Sequence, residues 1–376
     1  MQDERSQRIE RNMHAAMESG SLSGLHGLVA LQHGHAVLEV YFDGVDERIR
    51  HAPGPVRFGP EVLHDLRSVT KSVVSLLCGI VVTENDIDVS CPLTELLPRW
   101  REHFNTATSA LTLQHVLSMT MGLSWDESIS YADARNSEIQ MALSPDRVAY
   151  VLSRPASEPA GEHWHYCGGA TELLAALIHE RTGKSLATFA QERLFGPLGL
   201  SHVEWNGDAN GPYAASGLRM TPRDLARIGQ LILQRGVWQG RAVVPESWLH
   251  AALRPHVRIE GGFGYGYHFY TGGLEARQQS MAFCAAIGNG GQRLYVVPAL
   301  DASVAISAGN YNDWKLSREL PSGLLREYVL PLLAADESWS TARIAGLCGV
   351  QFLVAIYGGY FGAAMGILML ASLGLF

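Results

Sequence analysis

The stretch from Asp65 to Ile80, Asp-Leu-Arg-Ser-Val-Thr-Lys-Ser-Val-Val-Ser-Leu-Leu-Cys-Gly-Ile, constrains this chain more than any other. It reads as an apolar helix with Ser68 and Lys71 near its start. Three residues apart on a helix means one face, with the two side chains a few ångströms apart. A serine hydroxyl is a poor nucleophile until a base takes its proton. A lysine amine becomes such a base where burial and a positive dipole end disfavour its ammonium form. The run Val73-Val74 with Leu76-Leu77 supplies the apolar wall, and the helix N-terminus supplies the dipole. The pattern is a self-contained nucleophile and base. On spacing alone, a capped amphipathic helix with an exposed lysine fits as well. Against that reading, the chain has only three lysines, Lys71, Lys184 and Lys315, and only Lys71 follows a serine by three. It also sits in an apolar run, where an exposed lysine face is not expected.

Composition excludes several classes. The 376 residues are enough for a large core. The net charge is −8 with only 18% charged residues, so nothing points to a nucleic-acid partner. The five cysteines, Cys78, Cys91, Cys167, Cys284 and Cys348, are scattered without a Cys-x-x-Cys pair, which argues against a zinc ribbon or a disulfide framework. His163 and His165 form a His-x-His beside Tyr166, but no acidic or histidine partner stands at metal spacing, so no metal or other cofactor is expected. The segment Trp125-Asp126-Glu127 and Trp164 could line a pocket or belong to the core.

Along the chain, Asp3 to Glu18 reads as a polar helix. Leu25 to Leu31 and Ala36 to Phe42 form a hairpin around Gly34. From about residue 84 to 207 the pattern is helical, with Leu111 to Met121 and Ala170 to Arg181 the clearest helices and Gly183 closing the second. Thr221 followed by Pro222 starts a helix to Gln234. Phe263 to Tyr270, Met281 to Ile287, Arg293 to Val297 and Ala302 to Ala308 read as strands, and Trp314 to Leu333 as a helix. Strands at both ends around a helical middle predict an α+β fold. One antiparallel sheet flanked by helices would be built from both termini, with a helical subdomain inserted.

The Gly-x-Ser-x-Gly signature of a nucleophile elbow is absent. Instead, blocks in order across about residues 22 to 333 resemble the serine β-lactamase and penicillin-binding-protein superfamily. They are similar to its class C-like branch, which includes esterases and 6-aminohexanoate-dimer hydrolases. The blocks are Ser68-Val69-Thr70-Lys71, Leu113 to Leu123, Pro159-Ala160-Gly161 with Tyr166-Cys167-Gly168, Leu194 to Leu200, and Ser216 to Ala226. The resemblance implies that Tyr166 stands beside Ser68 and Lys71, shares the base role and later protonates the leaving group. It implies that Gly288-Asn289-Gly290-Gly291-Gln292 ends an edge strand beside the nucleophile. A backbone N–H there, placed at Asn289, would hold the oxyanion together with the N–H of Ser68. A glycine-rich hairpin turn is the other reading of that segment.

Two departures narrow the substrate. Gly168 has no side chain to bind a β-lactam amide, and the third motif has no lysine to grip a carboxylate. The expectation is a serine hydrolase forming an acyl-enzyme on a small-molecule ester or simple amide, without cofactors. The alternatives are a non-catalytic sensor or binding protein of the same type, or a β-lactamase proper.

The hydrolase domain is expected to span 1–335. Residues 344–376 contain no charged side chain, which suits a transmembrane helix. Phe352 to Leu368 resembles a helix of the sulfite/sulfonate exporter permease family, with Gly358, Gly362 and Gly366 on one face. Residues 341–376 are therefore expected to associate with a membrane, as a tail anchor or a fusion scar. Arg343 before the segment, and a charged N-terminus without an apolar core, place the catalytic domain on the cytoplasmic side. Oligomeric state is not readable.

Overall fold

The computed structural model describes residues 4–49, 51, 53–276 and 279–333. The chain divides into two compact units, Met1–Val329 and Leu330–Phe376. Of the second, only the helical turn Leu330–Leu333 is described, so the expected hydrophobic segment at 341–376 and its exporter-like stretch lie outside the described residues. Among the described residues, no helix is long and apolar enough to cross a membrane.

The first unit is built on an antiparallel sheet. Its strands are β1 (Leu25–Gln32), β2 (His35–Tyr41), β3 (Val257–Arg258), β4 (Gly264–Tyr265), β5 (Tyr270–Ala276), β6 (Gln279–Gly288), β7 (Gln292–Val297) and β8 (Ala302–Ala308). They lie in the order β3-β4-β5-β6-β7-β8-β1-β2. The N-terminal hairpin closes onto the last strand, with Leu28 opposite Ile306. Its turn places His33 and Gly34 both at positive φ, the geometry whose twist matches a two-residue hairpin. The two termini therefore build one sheet, and the helical middle forms a second layer, as the strand and helix pattern predicts.

Three elements differ from expectation. Phe263 to Tyr270 is not one strand but two, β4 and the start of β5, because His268 at φ 60 turns the chain between them. The helix expected over Leu111 to Met121 is a single five-residue turn, Leu113–Leu117, ended by Met119 at φ 54. The helix expected over Trp314 to Leu333 starts at Leu316 and is interrupted by a π-helical stretch, Leu325–Val329, before the turn Leu330–Leu333.

The helix Val69–Glu84 runs through the centre and is buried on every face along Val69 to Val82. Burial of Val73, Leu76, Leu77 and Ile80 stabilises it by about 1.5–3 kcal/mol per side chain. Its few polar groups bond inward to the sheet side. Ser72 Oγ donates to the His268 carbonyl at 2.5 Å and Ser75 Oγ to the Tyr267 carbonyl at 2.7 Å. This helix is fixed in depth and rotation, and so is its first turn.

Candidate active site

Ser68 stands at the N-cap of that helix in helical geometry, φ −67° and ψ −8°. An N-cap serine ordinarily accepts a hydrogen bond from the first turn. Ser68 makes no such bond, and its hydroxyl lies 3.0 Å from Lys71 Nζ. The preceding residue, Arg67, is held at φ 49, a conformation that costs a non-glycine residue about 1–3 kcal/mol. Its guanidinium donates to the Glu47 carbonyl and lies 4.5 Å above the Tyr311 ring. Those contacts hold the turn that presents Ser68, a role the sequence did not reveal.

Lys71 is 2% exposed. Its nitrogen has three neighbours: Ser68 Oγ, the Ala215 carbonyl at 2.8 Å and Glu138 Oε2 at 3.4 Å. A carbonyl and a carboxylate only accept hydrogen bonds. When the nitrogen is an amine, its two N–H groups therefore go to Ala215 and Glu138, and its lone pair faces Ser68 Oγ. The Ala215 carbonyl is set by the block that follows it, because Leu218 N–H donates to Thr70 Oγ1 and the strand Leu218–Met220 pairs with His64–Asp65. Arg219 ties the buried Asp65 carboxylate into the same ladder.

Tyr166 reaches the same point. Its ring centre is 5.2 Å from Lys71 Nζ, and Ser68 is among the groups that act on its phenol. Burial, followed by the charge of Glu127 and the neighbouring Tyr270 and Glu138, holds its pKa well above the ordinary tyrosine value. That direction favours Tyr166 as a proton donor.

Asn289 lies just past the end of β6 and lines the same cavity as Ser68. Its side chain is turned away: Nδ2 donates to Asn312 Oδ1 at 3.1 Å, and Asn289 Oδ1 accepts from Asn312 N–H at 2.9 Å. Neither the Ser68 N–H nor the Asn289 N–H has an acceptor among the described residues. The strand end reaches this close only because residue 288 is glycine. A Cβ there would sit 2.5 Å from the Leu66 carbonyl oxygen and 3.2 Å from the Ser68 nitrogen.

The cavity beside Ser68 has a volume of about 440 Å³. One wall is apolar, made by Ile139, Ala142 and Leu143 of the short helix Ser137–Leu143, with Ile49 and Pro53 also lining it. The three arginines among its described lining residues are engaged. Arg48 pairs with Glu204 at 3.0 Å, Arg67 bonds Glu47, and Arg147 pairs with Asp208 at 2.9 Å and Glu172 at 3.2 Å. Trp125, Glu127 and Trp164 do not line the cavity. Trp125 is core, and Trp164 packs against Tyr166 and Tyr265. His163 pairs with Glu158 at 3.2 Å, and His165 Nε2 lies 2.6 Å from the Trp125 carbonyl, so the two imidazoles have separate structural partners. Among the described residues, no group of three metal-ligating side chains converges.

Glu138 is the site residue that sequence reasoning missed. It follows the Asn136 cap by two and reads as an ordinary first-turn acid favoured by the helix dipole. Only the tertiary fold brings it to Lys71.

A family model described as Beta-lactamase matches residues 9–319. The 6-aminohexanoate-dimer hydrolase of Paenarthrobacter ureafaciens is 27% identical over 293 residues, covering 71% of this chain and 72% of that protein. Esterase EstB of Burkholderia gladioli is 27% identical over 201 residues, 51% of this chain and 50% of the esterase. Among solved structures, EstCE1, a hydrolase with promiscuous acyltransferase activity, superposes with a TM-score of 0.67 at 16% identity over 88% of this chain and 97% of its own. A penicillin-binding protein homologue from Caulobacter crescentus gives 0.65 at 19% identity over 85% and 97%. With the match running through the helix of Ser68 and the whole sheet, the chain belongs to the β-lactamase family of serine hydrolases.

Proposed function

We propose that the protein hydrolyses a neutral ester or simple amide through an acyl-enzyme on Ser68. The observation that carries this is Lys71 Nζ, shut away from solvent, 3.0 Å from a Ser68 hydroxyl that opens on a cavity. Ser68 Oγ attacks the carbonyl carbon as its proton passes to Lys71. The N–H groups of Ser68 and Asn289 receive the oxyanion. As the carbon–oxygen or carbon–nitrogen bond breaks, Tyr166 gives its proton to the leaving group and recovers one from Lys71. Water then attacks the ester of Ser68 as its proton passes to Lys71, and Lys71 returns that proton to Ser68 Oγ as the acid leaves.

Among the described residues that line the cavity, all three arginines are already paired with acidic or carbonyl partners, which favours an uncharged substrate. The wall of Ile139, Ala142 and Leu143 favours an apolar acyl or alkyl group. The relatives named as hydrolase and esterase support the same class. The test is Ser68→Ala in the purified full chain, with p-nitrophenyl acetate as substrate and a fluorophosphonate label. Turnover and labelling should both disappear while the thermal transition stays in place. Wild-type turnover by Ser68→Ala would remove the central reading, and labelling without turnover in the wild type would favour a non-catalytic sensor.

A further inference from the structure

We propose that Glu127 and Glu138 form a buried pair that holds one proton between them and positions Lys71, in the place of a side chain missing at residue 168. This rests on the reading of Ser68 and Lys71 given above. Both glutamates are 7% exposed and come from one segment, Glu127 from a loop and Glu138 from the first turn of Ser137–Leu143. Gly168, the third residue of the Tyr166 block, has φ −59° and needs no glycine for its backbone. What it provides is room. A Cβ there would lie 2.4 Å from Glu138 Oε2 and 2.9 Å from Glu127 Oε1. The carboxyl pair occupies the volume that a side chain at 168 would fill.

The two carboxyls converge on the one Cβ position at residue 168, close enough for each to act on the other's proton. Two adjacent buried carboxylates cannot both ionise cheaply, so one keeps a proton. Burial, and then the charge of Glu138, raise Glu127. For Glu138, burial works upward but is outweighed by the charge of Lys71 and by hydrogen bonds from Glu127, Ser216 and Lys71, so it lies below the ordinary value. Glu138, 3.4 Å from Lys71 Nζ, is placed to carry the charge of the pair, and Glu127 to keep its proton. Glu127 is itself fixed, accepting from Trp125 Nε1, from Gly168 N–H and from Tyr131 at 2.8 Å. The result is a single negative charge 3.4 Å from Lys71 Nζ.

The titratable groups facing the pair are Lys71 on the central helix, Tyr131 on the loop, Tyr166 and Cys167 before the helix Gly169–Thr182, Glu172 on that helix, and Tyr265 and Tyr270 on the sheet. The charge of Glu127 acts on Tyr166 to tighten its hold on the phenolic proton. When Glu127 ionises, that proton is harder to deliver to the leaving group. Activity falls as pH rises through the Glu127 titration, giving an alkaline limb.

The experiment measures kcat and KM of the full chain on p-nitrophenyl acetate across pH. Glu138→Gln should lower kcat by roughly 100-fold with KM within about threefold. Glu138→Asp should recover part of the loss. Glu127→Gln, which cannot ionise, should cost less than about tenfold at neutral pH and abolish the alkaline limb. Gly168→Asn should lose activity by collision with Glu138, and adding Glu138→Ala should restore at least part of it. The proposal is overturned if Glu138→Gln keeps wild-type kcat, or if Glu127→Gln keeps the alkaline limb unchanged. Should Glu138→Gln fail to fold, the pH profile of Glu127→Gln decides. Absence of fluorophosphonate labelling in the wild type overturns the Ser68 reading and this proposal together. Labelling with an unaffected Glu138→Gln overturns this proposal alone.

Discussion

Replacing Gly288 by alanine tests the oxyanion site without touching any reacting group. The new Cβ would meet the Leu66 carbonyl oxygen at 2.5 Å. Ordinary carbon–oxygen contacts are about 3.3–3.6 Å, so strand β6 and the Ser68 turn must part by roughly 0.8–1 Å. The new Cβ would also lie 3.0 Å from Gln292 Cβ and 3.2 Å from the Ser68 nitrogen, and Leu66 O, a backbone atom, already accepts the Val69 N–H at 3.2 Å, so the contact does not give easily. A displacement near 1 Å in a catalytic constellation costs about 100-fold, as does loss of one oxyanion donor, about 2.7 kcal/mol in the barrier. Gly288→Ala should therefore lower kcat on p-nitrophenyl acetate by roughly 100-fold with KM little changed. The overpacking should reduce stability by only about 1–3 kcal/mol. Asn289→Ala is the control, because it keeps the N–H and loses only the side-chain tie to Asn312, so its loss should stay below about tenfold. Stopped-flow or steady-state rates beside thermal melts separate the two effects. A folded Gly288→Ala with kcat within twofold of wild type would show that this strand end does not supply the donor.

Three other outcomes are expected. Esters should outrun β-lactams, since Gly168 and the paired arginines leave a β-lactam amide and carboxylate unrecognised; a nitrocefin rate equal to that of short p-nitrophenyl esters refutes this. The buried His26–His64 pair should make the fold acid-sensitive. His64 Nδ1–H donates to the Asp65 carbonyl at 3.0 Å, so Nε2 accepts from His26 Nδ1–H at 2.9 Å, and both rings are neutral. Burial first holds His64 to about 4. Its unfolded value is about 6.5, so its contribution is full above that pH and is lost as pH falls through about 4. Measured against His64→Gln by urea unfolding, the wild type should lose roughly 3 kcal/mol between pH 6.5 and 4. Taking the difference removes the opposing contribution of Glu127, and a difference that does not change with pH contradicts the pairing. Finally, we propose that residues 341–376 anchor the protein; the full chain should pellet with membranes and need detergent for release, and a chain that stays in the high-speed supernatant excludes the anchor.

Much of the plan was legible from local pattern alone. The hairpin at Gly34, the strand Ala302–Ala308 and the helix started by Thr221 and Pro222 follow from backbone preference and side-chain period. Those signals act over a few residues and need no partner. The Ser68–Lys71 pair was legible for the same reason, since three residues on a helix fix a distance. Tyr166 and Asn289 came from the order of sequence blocks; Asn289 lines the cavity of Ser68, and the Tyr166 ring centre lies 5.2 Å from Lys71 Nζ. What only the tertiary structure decided is the electrostatics. Glu138 lies 67 positions from Lys71 and the Ala215 carbonyl lies 144 away, and neither carries a local mark of its role. A carboxylate in a first helical turn looks the same in sequence whether water or a buried lysine faces it. Burial, which depends on the whole fold, turns that side chain from a solvated surface acid into the charge that orients Lys71.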